Sequence, residues 1–377
     1  MLLSTQYINN KERSMEYMNR EKAIELFLSL VAINSPSGHE EKITEFVVTY
    51  LHERNIKTAI DEYGNLIAYP SKEYKEEAIL FSCHLDTVPN AVNVHPIRDE
   101  KRIYTDGTTA LGADDKASVA AILVAIEHIL TNNISTHPIV LLFSVQEETG
   151  LVGARHLDTS LLPPIREAYI LDAQKEIGNV VTHSPAKLDA KIVFRGKAAH
   201  AGFKPEHGIS AISLACRAID QMKLLRINET TTANVGSIKG GEATNIVPDR
   251  CEIHLEVRSD TKEKCYGHLA HLELCCIKAV GAIGGSYELT SELKYPSYTL
   301  SADNKPLNRF KEICKELDLL YAEGSTGGGS DTNILIGYGI DAITLSSGYY
   351  NAHSVEESIP LEAFDDQMKV IVALAKK

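Results

Sequence analysis

A chain of 377 residues is too long for one ordinary core, and a 44% hydrophobic fraction without long low-complexity tracts describes two folded domains. The formal net charge of -13 disfavours nucleic acid or an anionic membrane as a partner. Apolar windows such as 117–125 and 139–145 are far shorter than the ~20 residues of a spanning helix, so no membrane segment is expected.

Seven cysteines, without Cys-x-x-Cys spacing, describe reduced and mostly buried thiols. Residues 1–20 lack the basic start, apolar run and cleavage site of a secretory leader, with Met15 and Met18 leaving room for an upstream extension. The cytoplasm is the expected compartment.

In chain order, apolar residues at helical spacing over 23–31 predict a helix that stops before Ser35-Pro36-Ser37-Gly38. A second helix follows, with Ser37 and Glu40 at capping-box spacing and Ile43, Phe46, Val47, Tyr50 and Leu51 on one face. Residues 57–60 and 66–69 flank Tyr63-Gly64-Asn65 as a hairpin. The run from Ile79 to Cys83 reads as a buried strand ending at His84-Leu85-Asp86, where alternation puts His84 and Asp86 on one side and Cys83 on the other. A short strand at 103–106, a helix over 116–130 and an apolar strand at 139–145 come next, and the last runs directly into Gln146-Glu147-Glu148. Another strand, 168–171, ends at Asp172. Strand, helix and buried strand in succession predict a right-handed crossover and a largely parallel sheet. His84, Glu147, Glu148 and Asp172 then all lie past the carboxyl ends of strands, where open α/β sheets bind ligands.

After Pro185 the pattern changes. Strands at 188–194, 233–238, 251–258 and 287–295, with helices at 209–222 and 262–280, describe a smaller α+β module with an antiparallel sheet. The chain resumes with a helix at 307–317, a glycine-rich loop, a strand at 342–345 and a final helix over 361–375. The expected fold is α/β, a mostly parallel sheet with helices on both faces built discontinuously from 1–185 and 297–377, and the module inserted over 186–296.

Four segments carry the chemistry: His84-Leu85-Asp86, Asp114-Asp115-Lys116, Glu147-Glu148 and Asn351-Ala352-His353-Ser354. With Asp172 they supply imidazole and carboxylate donors enough for two divalent ions. Such mixed nitrogen and oxygen ligands suit Zn²⁺, with Mn²⁺ or Co²⁺ as substitutes. Taken alone, Asp114 reads as a helix cap, His200 as a surface histidine, Arg258 as a solvent-facing strand residue and Asn245 as a turn residue. Their joint occurrence with the other donors, in order, outweighs those readings.

These segments, their order and the inserted module resemble the zinc-dependent aminoacylase and carboxypeptidase family, specifically its peptidase T-like branch. The resemblance covers the chain from about Asn19 onward. It implies that His84, Asp114 and Asp172 bind one ion and that Asp114 bridges to a second completed by Glu148 and His353. It implies Glu147 as general acid/base, Asp86 as the carboxylate that steadies His84, and a cis peptide between Asp114 and Asp115. In the inserted module, taken as a lid and dimerisation domain, Gly196–Gly202 resembles the segment whose histidine, here His200, reaches a neighbouring subunit's site to stabilise the oxyanion. Asn245 and Arg258 resemble the groups that hold the substrate's terminal carboxylate. Gly328 and Gly329 lie in what resembles the substrate-contacting glycine loop.

The implied activity is that of a homodimeric metallopeptidase removing an amino-terminal residue from short peptides, tripeptides for instance, by attack of metal-activated hydroxide. Deacylation of N-acyl amino acids and carboxypeptidase cleavage remain open alternatives. Other classes fit less well. A nucleotide-binding loop would end in Gly-Lys-Ser/Thr, whereas Gly324 to Gly329 runs into Ser330-Asp331, whose carboxylate repels phosphate. A cysteine hydrolase needs an activated thiolate, and Cys83 is expected to point away from His84.

Overall fold

The computed structural model describes residues 18–377. The expectations about a leader fall almost wholly outside them. The described chain divides into two compact units, one of residues 18–183, 299–326 and 330–377, the other of Ser184–Tyr298 with Gly327–Gly329.

The first unit is built on a mixed sheet. Its strands run in the order Lys57–Ile60, Leu66–Tyr69, Ile139–Ser144, Ala78–His84, Ile165–Ala173, Ala342–Ser346 and Asn179–Ser184. The central pairs are parallel: Ala78–His84 lies between Ile139–Ser144 and Ile165–Ala173, and Ala342–Ser346 pairs with Ile165–Ala173. The expected hairpin forms and joins the sheet antiparallel, Leu66 opposite Phe143. Because both faces of the sheet are covered, these strands are apolar throughout rather than alternating. Ile79, Phe81, Leu141, Phe143, Tyr169 and Ile343 enter one core cluster, and Leu80, Val140, Leu142, Ala168 and Ile170 the other. Helices Arg20–Val31, Ala113–Thr131 and Leu361–Ala375 pack together on the first face. Ala113–Thr131 is buried on nearly every side, and its alanines let neighbours approach closely. A separate three-stranded sheet joins Pro96–Arg98, Arg102–Thr105 and Ser358–Pro360.

The second unit is a five-stranded antiparallel sheet. Helices Ala211–Gln221 and Lys262–Ile283 cover one of its faces. Alternation is clean here: Cys251, Ile253, Leu255 and Val257 are buried under the helices, while the residues between them are not. Ser210 and Thr261 cap the two helices, each accepting the N–H three residues on.

One local expectation is overturned. The helix Glu41–His52 has no side-chain cap, because Glu40 turns away to accept N–H bonds from Gly38 (2.8 Å) and Gln146 (3.0 Å), and Ser37 donates to Asp86 (2.6 Å). Both side chains serve the loops at the end of the sheet instead. Among the described residues no helix is long and apolar enough to cross a membrane.

Candidate metal centre

The strand Ala78–His84 is wholly buried, and its last residue presents an imidazole at the sheet's carboxyl edge. Cys83, one residue earlier, packs into the core on the opposite side, where burial pushes its thiol well up and leaves no thiolate nucleophile. The ends of the neighbouring strands supply Glu147-Glu148 and Asp172, and the loop after Ala342–Ser346 supplies His353. Asp114 enters through the loop that opens helix Ala113–Thr131. Gly112 sits there at φ +72, a conformation that favours glycine, and the Asp114–Asp115 peptide is cis.

Potential ligand atoms of His84, Asp114 and Asp172 lie within 4.8 Å of one another, and so do those of Asp114, Glu148 and His353 and of His84, Glu147 and Glu148. His84 Nε2 is 3.1 Å from Asp114 Oδ1 and 3.6 Å from Asp172 Oδ1. His353 Nε2 is 3.1 Å from Asp114 Oδ2 and 2.7 Å from Glu148 Oε1. Zinc–ligand bonds of 2.0–2.2 Å in tetrahedral array separate donor atoms by roughly 3.3 Å, so the residues are spaced to hold such an ion on each side of Asp114. Glu148 Oε1 is buried without an aligned hydrogen bond despite its closeness to His353, and Asp115 Oδ1 and Asp331 Oδ1 are also unpartnered. Buried carboxylate oxygens left in this state call for positive charge.

The electrostatics say the same. Burial alone would lower the proton affinity of His84, but Asp114, Asp172 and Asp86 outweigh it and raise the imidazole well above its usual range. Asp114 and Glu148 lift His353 to about 10. Burial would raise Asp114, yet the His353 and His84 contacts hold it below the usual carboxylate range. Burial, then the charge of Asp172, push Glu147 well up. Without cations, the cluster gathers protons onto its imidazoles to balance its acids.

Asp86 faces both His84 and the paired glutamates. The chain turns after His84, so the Nδ1 of that ring lies nearest the Asp86 backbone carbonyl, at 2.9 Å, and its carboxylate Oδ1 at 3.4 Å. The carboxylate also accepts the N–H groups of Glu147 (2.9 Å) and Glu148 (3.2 Å). With Glu40 on Gln146, it pins the turn that carries the paired glutamates. Two further carboxylates had no site role assigned from the sequence: Asp331, buried and accepting from Ser144 at 2.5 Å, and Glu357, buried against the backbone of the Asp114 loop.

The remaining expected site residues belong to the second unit. There the 199–201 loop pairs with 245–247, so His200 and Asn245 share one corner, with Ala201 N donating to Asn245 O (2.9 Å) and Val247 N to Ala199 O (2.9 Å). His200 Nδ1 accepts the Gly202 N–H at 3.1 Å, so a neutral ring carries its proton on Nε2. Arg258 is gripped by Glu256 through Nε (2.9 Å) and Nη2 (3.1 Å), and Nη1 donates to the Gly327 carbonyl (2.9 Å). Ser184 holds the Gly328 carbonyl (2.9 Å). At Gly329 a Cβ would come within 2.5 Å of the Tyr295 ring, so here it is this ring that demands glycine.

Comparison with known proteins adds to this geometry. A family profile described as a peptidase dimerisation domain matches residues 186–276, and one for peptidase family M28 matches 65–181. The uncharacterized protein YqjE of Bacillus subtilis is 34% identical over 368 residues, 96% of this chain and 99% of that one. A probable carboxypeptidase of Ajellomyces dermatitidis is 30% identical over 314 residues, 74% and 70% of the two chains. Among solved structures, aminopeptidase PepT from Bacillus cereus matches with TM-score 0.81 at 32% identity, over 95% of this chain and 98% of that one. A tripeptidase from Staphylococcus aureus matches with TM-score 0.86 at 32% identity over the same shares, 95% and 98%.

Proposed function

This chain belongs to the peptidase T-like metallopeptidases of the M20 family, and from that premise we propose that it is a dinuclear zinc aminopeptidase acting on short peptides such as tripeptides. The observation that carries the dinuclear reading is Asp114, whose two oxygens each lie 3.1 Å from a different imidazole. His84, Asp114 and Asp172 would hold one ion, and Asp114, Glu148 and His353 the other. Neither site contains a thiolate, which suits Zn²⁺ and leaves Mn²⁺ or Co²⁺ as workable substitutes. Bound there, the pair would supply an activated water and polarise the scissile carbonyl.

The protein's own groups do the rest. Glu147 takes the proton from the attacking water and delivers it to the departing amine. Its burial and acidic neighbours favour the protonated state halfway through that transfer. Asp86 and Glu40 keep its turn fixed, which is worth rate because a misplacement of about 1 Å costs on the order of 100-fold. His200, with its proton on Nε2, is a donor suited to a developing oxyanion, and we assign it to the partner's site in a homodimer. Asn245 and Arg258 hold the substrate's terminal carboxylate, Arg258 by exchanging it for Glu256, while the Gly328–Gly329 backbone lies alongside the peptide. The compartment is the cytoplasm.

Carboxypeptidase cleavage is the second reading, favoured by the name of the fungal relative. A tripeptide of three different residues separates the two. Release of its first residue supports the aminopeptidase, release of its third the carboxypeptidase, and hydrolysis of N-acetyl amino acids in place of either would refute both.

A further inference from the structure

Glu357 stands four residues beyond His353 and is 1% exposed. Its carboxylate is saturated by backbone: Oε2 accepts the N–H groups of Leu111 (2.8 Å) and Gly112 (2.9 Å), and Oε1 that of Asp114 (3.0 Å). All three donors belong to the loop that carries the shared ligand. Glu357 itself closes the turn that presents His353, since Tyr350 and Ser358 pair across that turn through two backbone bonds, of 2.9 and 3.1 Å.

The two ion sites differ in how they are supported. His84 ends a buried sheet strand and Asp172 lies near the end of another. His353 has a half-exposed side chain, φ +67 and a position in a turn outside the main sheet. What ties that turn directly to the Asp114 backbone is the Glu357 carboxylate.

We propose that Glu357 is a positioning residue that locks the Asp114 loop to the His353 turn and thereby sets the spacing of the second ion site, Asp114–Glu148–His353. The inference rests on the dinuclear reading above. Groups that orient metal ligands typically carry 10–100-fold in metal affinity. In Glu357→Gln the carboxamide nitrogen faces an N–H group, so at least one of the three bonds is lost and the loop shifts.

The test is a zinc titration against a competing chelator, run on the full-length wild type, Glu357→Gln and Glu357→Asp, with Glu167→Gln as control. Glu167 is also buried, accepting from Tyr169 at 2.5 Å, but it lies ~16 Å along its strand from Asp172. Wild type and control should bind two ions with unaltered affinities. Both Glu357 variants should bind one ion about 10–100-fold more weakly and the other, which shares Asp114 but is anchored by His84 and Asp172, with a clearly smaller loss, excess zinc restoring kcat. Unchanged affinities in the Glu357 variants, or equal losses at both sites, would overturn the positioning role alone. A wild type that binds fewer than two ions would overturn the dinuclear reading and this inference with it.

Discussion

Replacing Glu147 with Gln removes one proton-accepting group and almost nothing else. The side chain keeps its length, and the residue's backbone N–H still donates to Asp86 at 2.9 Å, so the turn stays in place. If Glu147 is the general acid/base, the loss should be about 10²–10⁴-fold in kcat, or about 3–5 kcal/mol of transition-state stabilisation. KM should change little, since the loss falls on the chemical step. In the metal-free protein the sign for stability is opposite. Burial and Asp172 push this carboxyl well up, and an acid so raised costs stability once pH exceeds its unfolded value of about 4.5. A neutral amide escapes that cost, so the metal-free variant should melt no lower than wild type at pH 7. The assay is steady-state peptide hydrolysis beside zinc content and thermal melting. Retention of more than a tenth of wild-type kcat would refute the role, and loss of zinc would move Glu147 among the ligands.

The partner-site role of His200 can be tested by complementation. Glu147→Gln and His200→Ala homodimers should each be inactive, yet after subunit exchange random mixing should restore about a quarter of wild-type activity, because each mixed dimer holds one complete site; no recovery would return His200 to its own subunit or remove it from the mechanism. Arg258→Ala should weaken peptides with a free terminal carboxylate at least tenfold more than their amides, whereas equal losses would confine Arg258 to bracing the glycine loop through Gly327. Glu127 ties three helical segments together through Lys22, Arg54 and Tyr50, and although burial would raise it these partners hold it at about 2. Its contribution is therefore complete above the unfolded value near 4.5 and lost as pH falls toward 2. Glu127→Gln should cost about 1–2 kcal/mol at pH 7, allowing for the quarter of the side chain that water reaches, and the gap in melting temperature should close over pH 4.5 to 2. A gap independent of pH would refute the assignment.

The sheet of the first unit was legible because its central strands hold continuous apolar runs, and because the runs of Ala78–His84, Ile139–Ser144 and Ile165–Ala173 each lead into the acidic or imidazole residues of the site at the carboxyl end or just past it. The short strands Asn179–Ser184 and Ala322–Ser325 were not, being only partly buried and weakly patterned. Spacing misled at Glu40: a capping-box position promised a local bond, but the carboxylate found the Gln146 N–H 106 residues away, which no local pattern encodes. Glu357 escaped notice for the same reason, and Asp331, seen only as the end of the glycine-rich loop, was given no place beside the cluster because its partner Ser144 is distant in sequence. The Glu256–Arg258 pair was within reach, because positions two apart on a strand share a face.

The central claim is a pair of cations sharing Asp114, and anomalous diffraction at the zinc edge from crystals grown with zinc tests it most directly. The predicted result is two peaks about 3.5–4 Å apart, one among His84, Asp114 and Asp172, the other among Asp114, Glu148 and His353. One peak, or two with Asp114 bound to neither or only one, would contradict it.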